Sequence, residues 1–299
     1  MKCDFLIINP LFICAGFPVI LKNDFNFLNM TRLLLLPTFL FLFLKATIAQ
    51  QAPFRGGSGG FRNLVWWDEF SGTGLPDSAK WGFEKGYVRN KELQYYTEAR
   101  PENVNLKNEF LLITARKDSL KQDADVYPIT SASLHTKGKQ SWTYGRIEVR
   151  AKIPSSLGTW PAIWMLGDAI DSVGWPACGE IDIMEHVGFM PDTVHANVHA
   201  GNSETERVSS GTQVFYKAPH KTFHIYAIEW FPDRIDWYFN DKKIHTYKNE
   251  GNHNGAWPFS KPQYLLLNLA FGGAWGGQRG VDTQSLPQTF AIDYVRVYQ

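Results

Sequence analysis

"YGRIEVRAKI", Tyr144 to Ile153, alternates without a break. Arg146, Glu148, Arg150 and Lys152 fall on one face; Ile147, Val149 and Ala151 fall on the other. A period of two is that of a strand with one buried and one polar side, as in antiparallel sheet. Segments on both sides of it read alike. "NLVWWDEF" (63–70), "EFLLITARK" (109–117) and "SASLHTKGK" (131–139) precede it. "HIYAIEWFPDRIDWYFNDKKIHTYK" (224–248) follows as a meander with turns at Pro232-Asp233 and Asn240-Asp241. "YLLLNLAFGG" (264–273) and "FAIDYVRVYQ" (290–299) close the chain. No amphipathic helix of ordinary length competes, no repeat period suggests a propeller, and the crossover helices of a parallel sheet are missing. About a dozen strands over roughly 235 residues predict an all-β fold, one large antiparallel sandwich.

Ahead of this region the chain reads "MTRLLLLPTFLFLFLKATIAQQ" from Met30. Arg32, an apolar run too short for a membrane span, and small residues at Thr47 and Ala49 predict an export signal over 30–49, cleaved before Gln50. Residues 1–29 are read as an artefactual N-terminal extension, and 50–62, with "RGGSGG" at 55–60, as a flexible linker to a domain over 63–299. A secreted or periplasmic protein, free of the membrane after cleavage, is the expectation. Cys3 and Cys14 precede the cleavage point, so only Cys178 remains and no intrachain disulfide can form. Cys178 lacks a Cys–His–Asn pattern and is read as a packing residue.

A net charge of +1 gives no sign of an electrostatic partner such as nucleic acid, and none is expected. Aromatics reach 15% of residues, with eleven Trp. These suit a β core or, equally, a groove in which indoles stack on sugar C–H faces.

"GEIDIMEHVG", Gly179 to Gly188, places Glu180, Asp182 and Glu185 in an apolar strand. Like charges on a partly desolvated surface raise one another's pKa, which is unfavourable unless put to use. Glu180 and Asp182 share a face, but Glu185 has the wrong parity. A β-bulge near Ile183-Met184 would restore it and let both apolar residues point inward. Two glutamates leaning together suit a retaining glycosidase, which wants its carboxyl groups about 5–5.5 Å apart. Asp182 between them would keep their protonation states distinct.

With its E-x-D-x-x-E spacing, this stretch resembles the catalytic signature of glycoside hydrolase family 16. It is similar to the laminarinase branch, endo-1,3-β-glucanases, rather than to lichenases, whose motif lacks the inserted residue. "NKELQYYT" (90–97), "YGRIEVRAKIP" (144–154), "GTWPAIWMLG" (158–167), "LLLNLAFGGAWGG" (265–277) and "DYVRVYQ" (293–299) resemble family segments in family order. The resemblance implies a concanavalin-like jelly roll of two curved sheets with a cleft. It also implies Glu180 as nucleophile, Glu185 as acid/base, Asp182 as assistant and retention of configuration. Trp160, Ala162 and Trp164 would share the cleft face, with the two Trp as sugar platforms or one of them packed in the core instead. The resemblance further implies a structural calcium held by Glu69, a main-chain carbonyl near Asn108, and Asp293; "KNEF" (107–110) departs from the family's glycine there. The two-carboxylate reaction itself needs no cofactor.

Around the carboxylates, Arg146 and Arg150 alternate onto a polar face that is read as the cleft, with Arg150 binding a hydroxyl, orienting an acid, or standing as a plain surface charge. Asn90, Glu92 and Gln94 are loop-side groups for sugar hydroxyls, with Asn90 preferred. His195, Asn197 and His199 share a face in "VHANVH", but residues four apart on a strand lie about 13 Å apart, too far for one zinc. His199 is therefore expected to bind a hydroxyl. Asn268 interrupts "LLLNLAF" and needs a cleft partner. Trp275, in "GGAWGG", sits where a Gly-rich loop can set an indole over a subsite. The expected activity is endo-hydrolysis of β-1,3-glucan by a monomer. The alternatives are a mixed-linkage glucanase, a hydrolase of marine galactans, and a carbohydrate-binding module without chemistry.

Overall fold

The computed structural model describes residues 60–122, 125–251 and 253–299. The export signal, its upstream extension and most of the linker lie outside these residues. The first strands are β1 (Leu64–Asp68), β2 (Gly82–Phe83), β3 (Tyr95–Tyr96), β4 (Val104–Lys107), β5 (Phe110–Gln122) and β6 (Asp125–Ser131). Next come β7 (Ser133–His135), β8 (Gly145–Lys152), β9 (Thr159–Gly167), β10 (Glu180–Glu185), β11 (Thr193–Ala200) and β12 (Val208–Phe215). The meander follows as β13 (His224–Trp230), β14 (Arg234–Phe239) and β15 (Lys242–Lys248); β16 (Gln263–Phe271) and β17 (Gln288–Tyr298) complete the set. The α-helices among the described residues are two single turns, α1 (Ile170–Val173) and α2 (Gly273–Gly276). "SASLHTKGK" holds the last residue of β6 and the whole of β7, Ser133–His135; Thr136 to Lys139 make a turn in which Gly138 takes φ 70°.

Two sheets form the jelly-roll sandwich. The seven-stranded sheet runs β12-β11-β10-β9-β16-β7-β2. The ten-stranded sheet runs β15-β14-β13-β8-β17-β5-β6-β3, with β1 on β17 and β4 on β5. Alternation decides what lies between them. Ile163 and Met165 of β9, Val194, Ala196 and Val198 of β11, and Leu265, Leu267 and Leu269 of β16 meet Ile147 and Val149 of β8 and Trp237 of β14 in one core. The opposite side of the seven-stranded sheet is left to build a site.

Candidate active site

β10 carries the centre of the site. Asp182 pairs with Trp164 on β9, but Met184, not Ile183, takes the next partner, Ile163. On β11, Asp182 pairs with Asn197 and Glu185 with His195. The surplus residue is a bulge, and both Ile183 and Met184 turn into the core as the sequence requires. Glu180, Asp182 and Glu185 consequently line the same cleft. The bulge leaves the Asp182 carbonyl pointing inward, where it accepts from the Trp237 indole N–H of the facing sheet at 2.9 Å.

The cleft crosses the strands and has two lobes that share Glu180, Glu185, Trp160, Trp175 and Asn90. One, about 500 Å³, lies over β9 and β16 and is closed by the loop carrying Val88, Arg89 and Asn90. The other, about 840 Å³, lies over β11 and β12. Gly211 of β12 stands opposite Asn197, and a Cβ there would fall 2.7 Å from Asn197 Oδ1, so glycine keeps this floor open.

Each acid has its own partners. Glu180 Oε2 accepts from Trp175 Nε1 at 2.9 Å, and Glu185 Oε1 accepts from Trp160 Nε1 at 3.0 Å. Asp182, 3% exposed, is hydrogen-bonded to Glu180. One carboxyl oxygen of Glu180, one of Asp182 and a ring nitrogen of His199 all lie within 4.8 Å of one another. Burial raises all three carboxyl pKa values. Asp182 rises furthest, because both glutamates repel its charge as well. Glu185 is pushed up to about 7, by burial and then by the Glu180 charge, with the Trp160 bond opposing. Glu180 is raised by burial, while Trp175 and Asp182 donate to its charged form and Arg89 and Arg207 favour it. The bond from Asp182 favours the charged form of Glu180, while burial and the Glu180 charge favour the protonated form of Glu185.

His199 is neutral, its pKa lowered to about 4 by burial and then by Arg207. Asn197 Oδ1 accepts from Val198 N, so its amide nitrogen donates to His199 Nε2 at 3.2 Å. His199 Nδ1–H must then donate to Ser209 Oγ at 2.7 Å. Its Nε2 lies 3.5 Å from Asp182 Oδ2.

Trp160, Ala162 and Trp164 do share the cleft side of β9. Trp160 meets Trp275 edge-on at 5.5 Å, and Trp275 meets His195 at 4.8 Å. Trp164 is less open than a platform would be: 8% exposed, with the Arg89 guanidinium 4.9 Å from its ring centre. Asn268 has its partners, accepting from Trp164 Nε1 at 2.8 Å and donating to Tyr96 at 3.0 Å. Asn90 lines both lobes and donates to Glu92. Gln94 is not a sugar ligand: fully buried, it donates to Glu92 and accepts from Phe271 N. Cys178 is buried in the small apolar cluster beneath the cleft, its thiol pushed up to about 11 by burial, as a packing residue should be.

Two expectations are corrected. Arg146 and Arg150 lie on β8, whose apolar side faces the core and whose polar side therefore faces away from the cleft. Arg150 pairs with Asp293 and lies over Phe223. Arg146, buried, pairs with Glu148 and Glu229. The calcium ligands fail for a related reason. Both oxygens of Glu69 accept from Arg296, at 2.7 and 2.8 Å, and Asp293 is taken by Arg150. With Asn108 in the β4–β5 turn, the set offers no unneutralised carboxylate, and it does not fit a divalent ion.

Sequence reading missed Trp175, Arg89 and Arg207. Trp175 sits in the loop after α1, where no periodicity marks it, and Arg207 lies 5.4 Å from its ring centre. Arg89 directly precedes the Asn90 that was singled out, and its neighbour's position is the only signal that it lines the cleft.

A jelly-roll sandwich with two glutamates held by unlike partners in an indole-lined cleft defines a polysaccharide-cleaving glycoside hydrolase. The model for glycosyl hydrolases family 16 matches residues 91–296, and the chain belongs to that family. A curated β-glucanase from Rhodothermus marinus is 46% identical over 79% of this chain and 85% of its own length. A glucan endo-1,3-β-glucosidase A1 from Niallia circulans is 38% identical over 79% of this chain, which spans 38% of that longer protein. The crystallographic laminarinase from R. marinus superposes with a TM-score of 0.73 at 45% identity, covering 79% of this chain and 97% of that one. No helix among the described residues is long and apolar enough to cross a membrane.

Proposed function

We propose that this chain is a retaining endo-1,3-β-glucanase that cuts internal linkages of laminarin-like glucans. The observation that carries this reading is the bulge in β10, which sets Glu180, Asp182 and Glu185 on one cleft face with unlike partners. Glu185, protonated, donates to the glycosidic oxygen as the bond to C1 breaks. Glu180, ionised and held by Trp175 and Asp182, attacks C1 from the other side and forms the glycosyl-enzyme ester. The aglycone chain leaves over its half of the cleft. Glu185, now a carboxylate, takes a proton from water, which attacks C1 and releases the sugar with its original configuration. Asp182 keeps its proton throughout and returns a hydrogen bond to Glu180 when the ester is cleaved.

These steps call for no metal. The apolar run over 33–44 supports export, and the substrate is a polymer too large to enter a cell. A monomer suffices, because every group named comes from one chain. Reducing-sugar release from laminarin, barley mixed-linkage glucan, agar and carrageenan, with proton NMR of the first-formed anomer, tests the reading. Laminarin is expected to be cut first and fastest, giving β-anomers at early times. An α-anomer, or preference for a galactan, overturns it.

A further inference from the structure

β12 is the edge strand of the cleft sheet, and its exposed side continues past the catalytic lobe. Ser209, Gly211 and Gln213 form the cleft wall; the next residue of the same face is Phe215, 75% exposed. Tyr216 follows at 41% exposure, its ring resting on Phe239 at 5.1 Å and on His224 at 4.8 Å. These two rings flank a groove of about 760 Å³ between the edge of β12 and the β14–β15 turn, where Asn240, Lys242 and Lys243 supply polar groups. Thr212 and Gln213 line both this groove and the catalytic lobe, so the two adjoin at β12.

We propose that this edge groove is a second binding site for the glucan chain, taking the part of the polymer that has run out of the cleft over β12. It rests on the β-1,3-glucanase reading above. The occupant is indicated by the adjacency and by the chemistry. An exposed phenyl ring and a half-exposed phenol offer flat apolar faces to sugar C–H groups. The Lys242 ammonium across the groove offers donors to hydroxyls, while the Asn240 amide is held by Ile225 N and His224 and shapes the wall. A lone exposed Phe would call for no explanation; two adjacent aromatic side chains at the mouth of a groove that adjoins the substrate cleft do. The lysines also guard the sheet edge against pairing with another strand. Lys243 pairs with Asp236 at 3.5 Å, which leaves Lys242 as the ammonium a polysaccharide can reach.

The site should matter for long chains and not for short ones. Neighbouring strands lie about 4.8 Å apart, so a chain crossing from β16 to β12 covers roughly 19 Å within the cleft. An oligosaccharide of four residues ends before the groove. In Phe215→Ala and in Phe215→Ala combined with Tyr216→Ala, KM for laminarin is expected to rise about three- to tenfold. KM and kcat for laminaritetraose, and kcat for laminarin, should stay unchanged. In the Glu180→Gln background the same pair of substitutions should lower retention on insoluble β-1,3-glucan. Unchanged kinetics on both substrates overturns the proposal, and so does an equal loss on both, since that reports damage to the cleft. Failure of the underlying reading is distinct: the unsubstituted enzyme would then cut neither laminarin nor laminaritetraose.

Discussion

Trp237 Nε1 and the main-chain carbonyl of Asp182 are joined across the sandwich by a hydrogen bond of 2.9 Å. The donor is fully buried on β14 of one sheet; the acceptor sits at the bulge of the other. The extra residue that brings Glu185 to the cleft frees a carbonyl from the ladder, and the facing sheet satisfies it. Trp237→Phe keeps most of the packing and orphans that carbonyl. Stability should fall by about 1–3 kcal/mol. kcat should fall with little change in KM, because the acids lose alignment while the sugar platforms stay. Urea unfolding and steady-state kinetics on laminarin check both parts.

Glu180→Gln and Glu185→Gln should each lower kcat by roughly two to four orders of magnitude. The roles separate by rescue. On an aryl β-glucoside, azide with Glu185→Ala should give the β-glycosyl azide. With Glu180→Ala it should give the α-product, since azide then attacks C1 in place of the carboxylate. The opposite pattern would reverse the assignments.

Activity should follow the protonation of Glu185. The basic limb of kcat/KM is expected near pH 7, with activity lost as pH rises through it. Trp160 donates to the charged form of Glu185 and so lowers its pKa. Trp160→Phe should therefore move the basic limb to higher pH. Trp175→Phe, by the same logic at Glu180, should move the acidic limb to higher pH. A pH–rate profile of each variant reads the two shifts independently.

The raised pKa values also set a stability trend. Glu185 titrates from an ordinary 4.5 up to about 7 in the folded protein. The folded state then holds a proton that the unfolded chain has released. This contribution is fully present below pH 4.5 and is lost as pH rises through 7. Asp182 acts in the same direction. Glu185→Gln and Asp182→Asn should therefore raise the melting temperature above neutrality, by roughly 2–4 °C for each kcal/mol relieved, and leave it unchanged at pH 4. Thermal scans at the two pH values test the sign.

Trp275 stands edge-on to Trp160 and His195 without a hydrogen bond to any acid. Trp275→Ala should raise KM for laminarin by about three- to tenfold with kcat nearly preserved. Initial-rate kinetics decide whether the loss lies in binding or in turnover.

The bulge was legible because parity is a strict local rule: two apolar neighbours at 183 and 184 and one misplaced acid admit few solutions. The cleft side of β9 and the need of Asn268 for partners followed from the same rule. Arg150 shows where that rule ends. Alternation says that β8 has a polar side, but which sheet the strand joins is set by pairing with β13 and β17, both distant in sequence. Trp175 lay in an aperiodic loop, and the bond from Trp237 to Asp182 spans fifty-five positions. Gln94 looked like a loop-side polar group because sequence gives no sign that Phe271 N lies within reach of its amide.

Two indoles in this cleft serve twice. The ring of Trp160 and the ring of Trp175 can bear a sugar, while their N–H groups hold Glu185 and Glu180. A single oxidative lesion at either ring would therefore surface as two defects at once, weakened grip and displaced acidity. Bleaching conditions would then reach the chemistry through those two rings while leaving the sandwich beneath them standing.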